Sequence, residues 1–302
     1  MQGVKLAWED HEFGRREIEA CCDLLTLALR EDLGEAGDVT SLALVPATAM
    51  GTARFVARAD GIVAGLPAAA LTCRTVDPHL VWVSRKTDGD RVGRGDVLAE
   101  IRGSLRSILA AERIALNFLQ RLSGVATQTR SLVDLLRGLP TRLLDTRKTP
   151  PGWRLLDKYA FRVGGGQNHR LGLHDMILIK DNHLAALSHL PDPVGTAIQR
   201  ARASSPGVRV EIEVDSLTQL EAALPHQPDY ILLDNMTLEQ MRECVRRRDA
   251  AKVRTLLEAS GGITAQTIRA VAETGVDRIS VGAVTHSALA LDIALDFVVS
   301  SG

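Results

Sequence analysis

Over 17–30, apolar side chains recur every three or four residues, and Ile18, Cys21, Cys22, Leu25 and Leu29 share one face. That spacing predicts an amphipathic helix. A polar, turn-rich stretch follows, from Glu31 to Gly34 and from Gly37 to Ser41. From about 50 to 103 the period falls to two. TARFVARADGIVAG and LVWVSRKTDGDRVGRGDVLAEIRG alternate polar and apolar residues, and Asp-Gly pairs at 60–61 and 88–89 mark tight turns. This part predicts an antiparallel or sandwich-like β-domain. The clearest helix is 104–122, with Leu105, Ile108, Leu109, Leu116 and Leu119 as its stripe, Ser104 as its cap and Gly124 beyond its end. Glu112 sits near the middle of that stripe and Arg113 at its edge. Charges there are costly unless they are paired or line a site.

After 140 the pattern changes again. Short apolar runs alternate with helical stretches: TRLLDT (141–146), MILIK (176–180), VRVEIEV (208–214), YILLD (230–234), VRTLLEAS (253–260) and DRISVG (277–282). Helices are expected between the later ones, at 216–224, 237–249 and 264–274. Repeated β-α units imply parallel strands joined by crossovers. Six of them in this length suggest a compact α/β barrel, with an open doubly wound sheet as the rival.

Every one of these strands ends at or near a residue able to do chemistry. They are Thr146 with Arg147 and Lys148, then Lys180, then Glu211 and Glu213, then Asp234 with Asn235, then Ser260-Gly261-Gly262, then Gly282-Ala283. The carboxyl ends of strands are where α/β folds build sites. Arg147, Lys148, His169, Arg170 and Lys180 form a cationic set, and Glu213 and Asp234 an anionic pair on neighbouring strands. That mixture suits a polyanionic substrate bridged by Mg²⁺, held by one or two carboxylates plus substrate phosphates. Glu211 and Glu213 fall on one strand face, expected to point inward, while Val210, Ile212 and Val214 pack under outer helices. The small residues at 260–262 and 280–287 let backbone N–H groups approach a phosphate, helped by following helix N-termini. The bland alternative is a set of salt-bridged barrel layers.

Composition narrows the choice. The 302 residues carry 36 basic and 37 acidic side chains, a net charge of −1, and only 3% aromatics. Neither phosphate neutralisation nor base stacking is favoured, so nucleic acid is not an expected partner. Cys21, Cys22, Cys73 and Cys244 have no metal-binding or redox spacing, which fits a reducing cytoplasmic setting. The first residues, MQGVKLAWEDHEFGRRE, hold no apolar signal core, and no apolar run is long enough to span a membrane. Of the 36 basic residues only six are lysines. A lysine in this chain marks a place where arginine is unsuitable.

Several stretches together resemble the quinolinate phosphoribosyltransferase family. They are EDLGEAGDVTS (31–41), ERIALNFLQRLSGVAT (112–127), DTRKTPPGWRLLDKYAFRVGGGQNHRLGLHDMILIKDNH (145–183), EIEVDS (211–216), LLDN (232–235), LEASGGI (257–263) and ISVGAVTHSALALDIALDF (279–297). The resemblance implies an α/β fold: an N-terminal α/β-sandwich domain over 1–115 and a C-terminal incomplete, TIM-like α/β barrel of six or seven strands over 116–302. A last helix over about 287–299 is expected to pack back on the first domain. It also implies transfer of a 5-phosphoribosyl group from phosphoribosyl pyrophosphate to quinolinate with decarboxylation, using Mg²⁺ and no organic cofactor. Carried over, Arg147, His169, Arg170 and Lys180 hold quinolinate, with Thr146 beside them, and Lys148 lies between the two substrates. Glu213 and Asp234 serve the metal, partly through substrate and water, and the ribose. Ser260, Gly261, Gly282 and His286 hold the 5′-phosphate end. Arg113 enters a neighbouring subunit's site, which implies a homodimer or larger assembly. A molybdenum-transport-associated family shares part of the pattern and would bring another substrate.

Three other readings compete. DGDRVGRGDVLAEIRG (88–103) resembles lipoyl or biotinyl carrier hairpins, with Lys86 the only nearby lysine. Lys180 at a strand end could form a Schiff base as in an aldolase. The run Arg246-Arg247-Arg248 could contact nucleic acid, although the 237–249 helix more simply turns it to solvent.

Overall fold

A computed structural model describes residues 12–298. Its strands are β1 (Met50–Ala57), β2 (Gly61–Ile62), β3 (Val81–Ser84), β4 (Arg91–Val92), β5 (Val97–Ser104), β6 (Arg142–Leu144), β7 (Ile177–Ile179), β8 (Val210–Val214), β9 (Tyr230–Asp234), β10 (Leu256–Ser260), β11 (Arg278–Ser280) and β12 (Ile293–Phe297). They fall into two compact units. The first comprises 1–130, 149–165 and 283–302, and the second 131–148 and 166–282.

In the first unit, β12, β1, β5 and β3 form an antiparallel sheet in that order. The period-two pattern of 50–57 and 97–104 accounts for it. Ala53, Phe55 and Ala57 of β1, and Leu98, Ala99 and Ile101 of β5, are buried in an apolar cluster with Ile108, Leu116 and Leu119. On the opposite face, Glu100 is paired with Arg54 at 3.1 Å and with Arg102. Helices α1 (Arg15–Leu33), α2 (Val39–Leu44), α3 (Leu66–Val76), most of α4 (Leu105–Leu135), α5 (Arg154–Val163) and the short helix Ala283–His286 belong to this unit.

Three expectations change here. The helix drawn as 104–122 runs on to Leu135, through Gly124. A Cβ at Gly124 would lie 2.1 Å from the Leu289 carbonyl oxygen, so this glycine serves a close backbone approach and ends nothing. The division at 115/116 therefore falls inside one continuous helix, and the first unit keeps α4 as far as Arg130 together with α5. The last helix over 287–299 is instead β12, paired antiparallel with β1 from Ala53↔Phe297 to Ala57↔Ile293. Alternation in Ile-Ala-Leu-Asp-Phe serves an edge strand as well as a helix end. Residue 299 lies outside the described residues, as do 1–11 of the stretch read for a signal core. Among the described residues no helix is long and apolar enough to cross a membrane.

In the second unit six parallel strands run in the order β6-β11-β10-β9-β8-β7. His169, just after a residue bridged to the free side of β6, reaches Glu258 of β10 and Glu211 of β8, so the sheet curls on itself as a barrel does. Gln167 adds a one-residue parallel bridge to Leu144 on the free side of β6. The pairings stop between that bridge and β7, which makes the barrel incomplete, of six strands and a fragment of a seventh. Val210, Ile212 and Val214 are buried on the outer face, where helices Pro193–Ser204 and Leu217–Ala223 pack on β8. Arg247 pairs with Glu243 at 2.6 Å and with Glu221, and Arg248 with Asp277 at 2.7 Å, so the arginine run is engaged by acidic side chains.

Candidate active site

The inner face of the second sheet is polar by register. Glu213 is level with Leu232, Glu258 with Leu232 and Arg278, and Arg278 with Arg142. Since parallel neighbours in register share a face, Glu211, Glu213, Asp234, Glu258, Ser260 and Arg278 all point to one side.

At the carboxyl end of these strands, Lys180 Nζ donates to Glu213 Oε2 at 2.8 Å. The lysine is exposed and Glu213 half-buried. Asp234 ends β9 in register with Ser260 and accepts from Asn235 Nδ2 at 2.8 Å. Asn235 takes a left-handed φ of 54° and donates its N–H to the Ser260 carbonyl at 3.0 Å. Gly261 follows with φ +102°, and a Cβ there would lie 2.2 Å from Asn235 Oδ1. Only glycine fits this turn. The helices after these loops, Ile268–Ala272 and Ala283–His286, are five and four residues long. Their macrodipoles are correspondingly slight, so the expected help from helix N-termini is not built in.

Lys148, exposed, and Arg147, half-buried, follow β6, and the Lys148 N–H donates to Thr146 Oγ1 at 3.0 Å. Asp145 is fully buried. It accepts from Asn168 Nδ2 at 2.6 Å and from the His169 N–H at 2.8 Å, which pins the 166–170 loop to the end of β6. Arg170 donates to the Met176 carbonyl at 3.2 Å. Partial burial and the neighbouring Arg147 charge hold its pKa below the usual guanidinium value. An anion bound beside the two guanidinium groups would offset that repulsion.

Deeper in the barrel, His169 Nε2 lies 2.9 Å from Glu211 Oε2 and 3.4 Å from Glu258 Oε1. Arg278 Nε is 3.2 Å from Glu258 Oε2, with its guanidinium 3.9 Å from the centre of the Tyr230 ring. Burial pushes Glu211 up, reinforced by Glu258. Burial also acts to raise Glu258, but His169 and Arg278 outweigh it and hold it below the usual range. Burial lowers His169, yet the two carboxylates prevail and push it up to about 9. The Arg170 N–H, 2.8 Å from Nδ1 and donating to it, opposes the second proton. With Nδ1 accepting, the ring carries its proton on Nε2, towards the two carboxylates, and a second proton requires Nδ1 to give up the Arg170 N–H. His169, Glu211 and Glu258 also present ligand atoms within 4.8 Å of one another. Arg278 pairs with Glu258 and burial pushes Glu211 towards its neutral form, so no cation is required.

The second unit thus contains Thr146, Arg147, Lys148, His169, Arg170, Lys180, Glu213, Asp234, Ser260, Gly261 and Gly282. Arg113, exposed on α4, and His286, exposed on its short helix, belong to the first unit. Sequence reasoning placed Asn235 at a strand end but missed Asp145, Glu258 and Arg278. Glu258 breaks the apolar run of its strand, as Glu211 does, but Arg278 opens its strand and gives no such signal. For a hard divalent cation, Glu213 and Asp234 offer oxygen donors from adjacent strands, a set that fits Mg²⁺ completed by water and substrate phosphates.

A curled parallel sheet with cationic and carboxylate groups and glycine turns at its carboxyl end defines an α/β-barrel enzyme for phosphorylated substrates. Family descriptions make it specific: the quinolinate phosphoribosyl transferase C-terminal domain matches residues 125–296, and the N-terminal domain matches 38–123. The chain belongs to the quinolinate phosphoribosyltransferase family. It is 45% identical over 283 residues to the nicotinate-nucleotide pyrophosphorylase [carboxylating] of Mycobacterium leprae, covering 93% of this chain and 98% of that one. A quinolinate phosphoribosyltransferase [decarboxylating] of Nicotiana tabacum is 39% identical, over 90% of this chain and 81% of its own. The solved nicotinate-nucleotide pyrophosphorylase of Francisella tularensis superposes with a TM-score of 0.87 at 37% identity, covering 93% and 96%.

Proposed function

We propose that this chain transfers the 5-phosphoribosyl group of phosphoribosyl pyrophosphate to the ring nitrogen of quinolinate, with loss of CO₂, in de novo NAD biosynthesis. The products are nicotinate mononucleotide and pyrophosphate. The observation that carries this reading, in a chain of this family, is the Lys180–Glu213 contact at the carboxyl end of the barrel strands, with Asp234 ending the strand next to that of Glu213.

Arg147, Arg170 and Lys180, with His169 below them, bind the two carboxylates of quinolinate, the arginines by forks and the lysine as a point charge. Thr146 steadies the turn that presents Lys148 between the substrates. The bond from C1′ to pyrophosphate breaks through an oxocarbenium-like state, and the ring nitrogen forms the new bond to C1′. Glu213 and Asp234 face the positive ribose, and the Ser260 side chain, Gly261 and Gly282 hold the 5′-phosphate. The ribosylated nitrogen is cationic. It accepts the electron pair left at the adjacent carbon as CO₂ departs, and a proton then replaces the carboxylate. Glu213 and Asp234 would hold Mg²⁺, which when bound neutralises the pyrophosphate leaving group.

Arg113 completes the site of a second subunit in a homodimer. The four cysteines are free thiols, which supports a reducing, cytoplasmic location. Incubation with quinolinate, phosphoribosyl pyrophosphate and Mg²⁺ yields nicotinate mononucleotide. EDTA abolishes turnover and added Mg²⁺ restores it, whereas full activity in metal-free buffer would remove the metal from the proposal. Mixing inactive Arg113→Ala and Lys148→Ala chains under subunit exchange restores some activity, and no recovery would place Arg113 in its own chain's site.

A further inference from the structure

Below the substrate-facing cations lies a charged group that the reaction does not use directly. Glu258 and Arg278 are both buried, at 0% and 9% exposure, on adjacent strands in register. Neither reaches the carboxyl ends of β10 and β11, where the proposed contacts with substrate are made. Desolvating such a pair is expensive, and an apolar pair of similar volume would often be as stable. An arrangement that stability does not favour, set directly under His169, points to a different use.

We propose that Glu258 and Arg278 are positioning residues that fix the His169 ring, and through it the Arg170 backbone, and thereby set the affinity of the site for the dicarboxylate substrate. The linkage is continuous. Arg278 lies between the Tyr230 ring and Glu258, and Glu258 shares His169 Nε2 with Glu211. His169 Nδ1 accepts the Arg170 N–H at 2.8 Å. Asp145 holds the other end of the short segment at the His169 N–H. The imidazole is therefore clamped from the barrel floor and from its own loop, and the Arg170 guanidinium is carried on that clamp. The charged groups facing or flanking the ring are Glu211 from β8, Glu258 from β10, Arg278 from β11, Asp145 after β6, and Arg170 with neighbouring Arg147. The phosphoribosyl contacts proposed at Ser260, Gly261 and Gly282 lie outside the linkage. Its loss should separate the two substrates.

This inference rests on the proposed dicarboxylate substrate, and its test keeps the two apart. Glu258→Gln leaves Arg278 without its partner. The double variant Glu258→Gln/Arg278→Gln removes both charges together, so that no orphan ion threatens folding. Titration calorimetry measures quinolinate and phosphoribosyl pyrophosphate separately, and nitrogen NMR follows the His169 ring with pH. In the folded double variant, quinolinate should bind about tenfold more weakly and phosphoribosyl pyrophosphate within about twofold of the unmodified protein. The His169 midpoint should fall by about one unit or more. Unchanged quinolinate affinity, or equal weakening of both ligands, would overturn the proposal. An ordinary His169 midpoint in the unmodified protein would do so without any variant. If the unmodified protein bound no quinolinate, the functional reading would fail. The His169 titration would then decide the clamp alone, with a fall in Glu258→Gln supporting it and no change overturning it.

Discussion

The two sheets use the same alternation to opposite ends. In the antiparallel sheet of the first unit, the buried face is apolar, with Phe55, Leu98 and Ile101, and the charged ladder of Arg54, Glu100 and Arg102 lies on the other face. In the parallel sheet of the second unit, the outward face is apolar beneath helices, and the enclosed face carries Glu211, Glu258 and Arg278. Glu100 is buried there, but the exposed Arg54 and Arg102 pair with it from the solvent side, so its charge is matched at the surface of the sheet. A charge inside a barrel costs several kcal/mol unless it is paired. The first sheet is therefore built for stability, whereas the second accepts an energetic cost to place charge where a polyanion reacts.

Phe55→Ala should give the largest effect on that contrast. It removes a fully buried ring from the apolar side and should destabilise the chain by about 3–5 kcal/mol, read from denaturant unfolding. A loss under about 1 kcal/mol would deny that this face carries the stability of its unit.

The enclosed face should show itself through pH. The folded His169 pKa, about 9, stands above its ordinary 6.5. Its contribution is therefore complete below about 6.5 and disappears as pH rises through about 9. His169→Gln should destabilise the protein by a few kcal/mol at pH 6 and by clearly less at pH 10. An equal loss at both would mean that only the volume of the ring matters.

Lys148→Arg keeps charge and fold and should lower turnover about tenfold or more, roughly 1.4 kcal/mol of transition-state stabilisation. Quinolinate binding should fall less, because Arg147, Arg170 and Lys180 remain. A planar fork cannot occupy the place of a compact ammonium. Near-normal kcat would show that only charge counts there. The smallest effect is local: Thr237 caps helix Leu238–Ala251, with Gln240 reciprocating. Thr237→Ala should cost about 1 kcal/mol of stability and leave KM for both substrates unchanged.

The parallel unit was the more legible in sequence. Each of its six strands coincides with or lies inside an apolar run bounded by turn residues, and the inward placement of Glu211 and Glu213 follows from alternation alone. The antiparallel unit hid its closing strand, because Ile293–Phe297 is short and separated from β1 by most of the chain. Local periodicity carries no information about such a partner. Gly124 misled for a related reason: its role is set by Leu289, distant in sequence. In the site, the residues at strand ends could be read directly. Glu258 and Arg278 could not, since their meaning lies in the register of two neighbouring strands. Asp145 is intelligible only once the 166–170 loop is folded back onto β6.

The central claim is that the enclosed charged face joins a phosphoribosyl group to quinolinate and expels one carboxylate. Quinolinate labelled at the 2-carboxylate tests it directly. With phosphoribosyl pyrophosphate and Mg²⁺, labelled CO₂ should be released in equal amount to the nicotinate mononucleotide formed, and neither should appear when phosphoribosyl pyrophosphate is withheld. Release of label without nucleotide, or nucleotide that retains the label, would contradict the account.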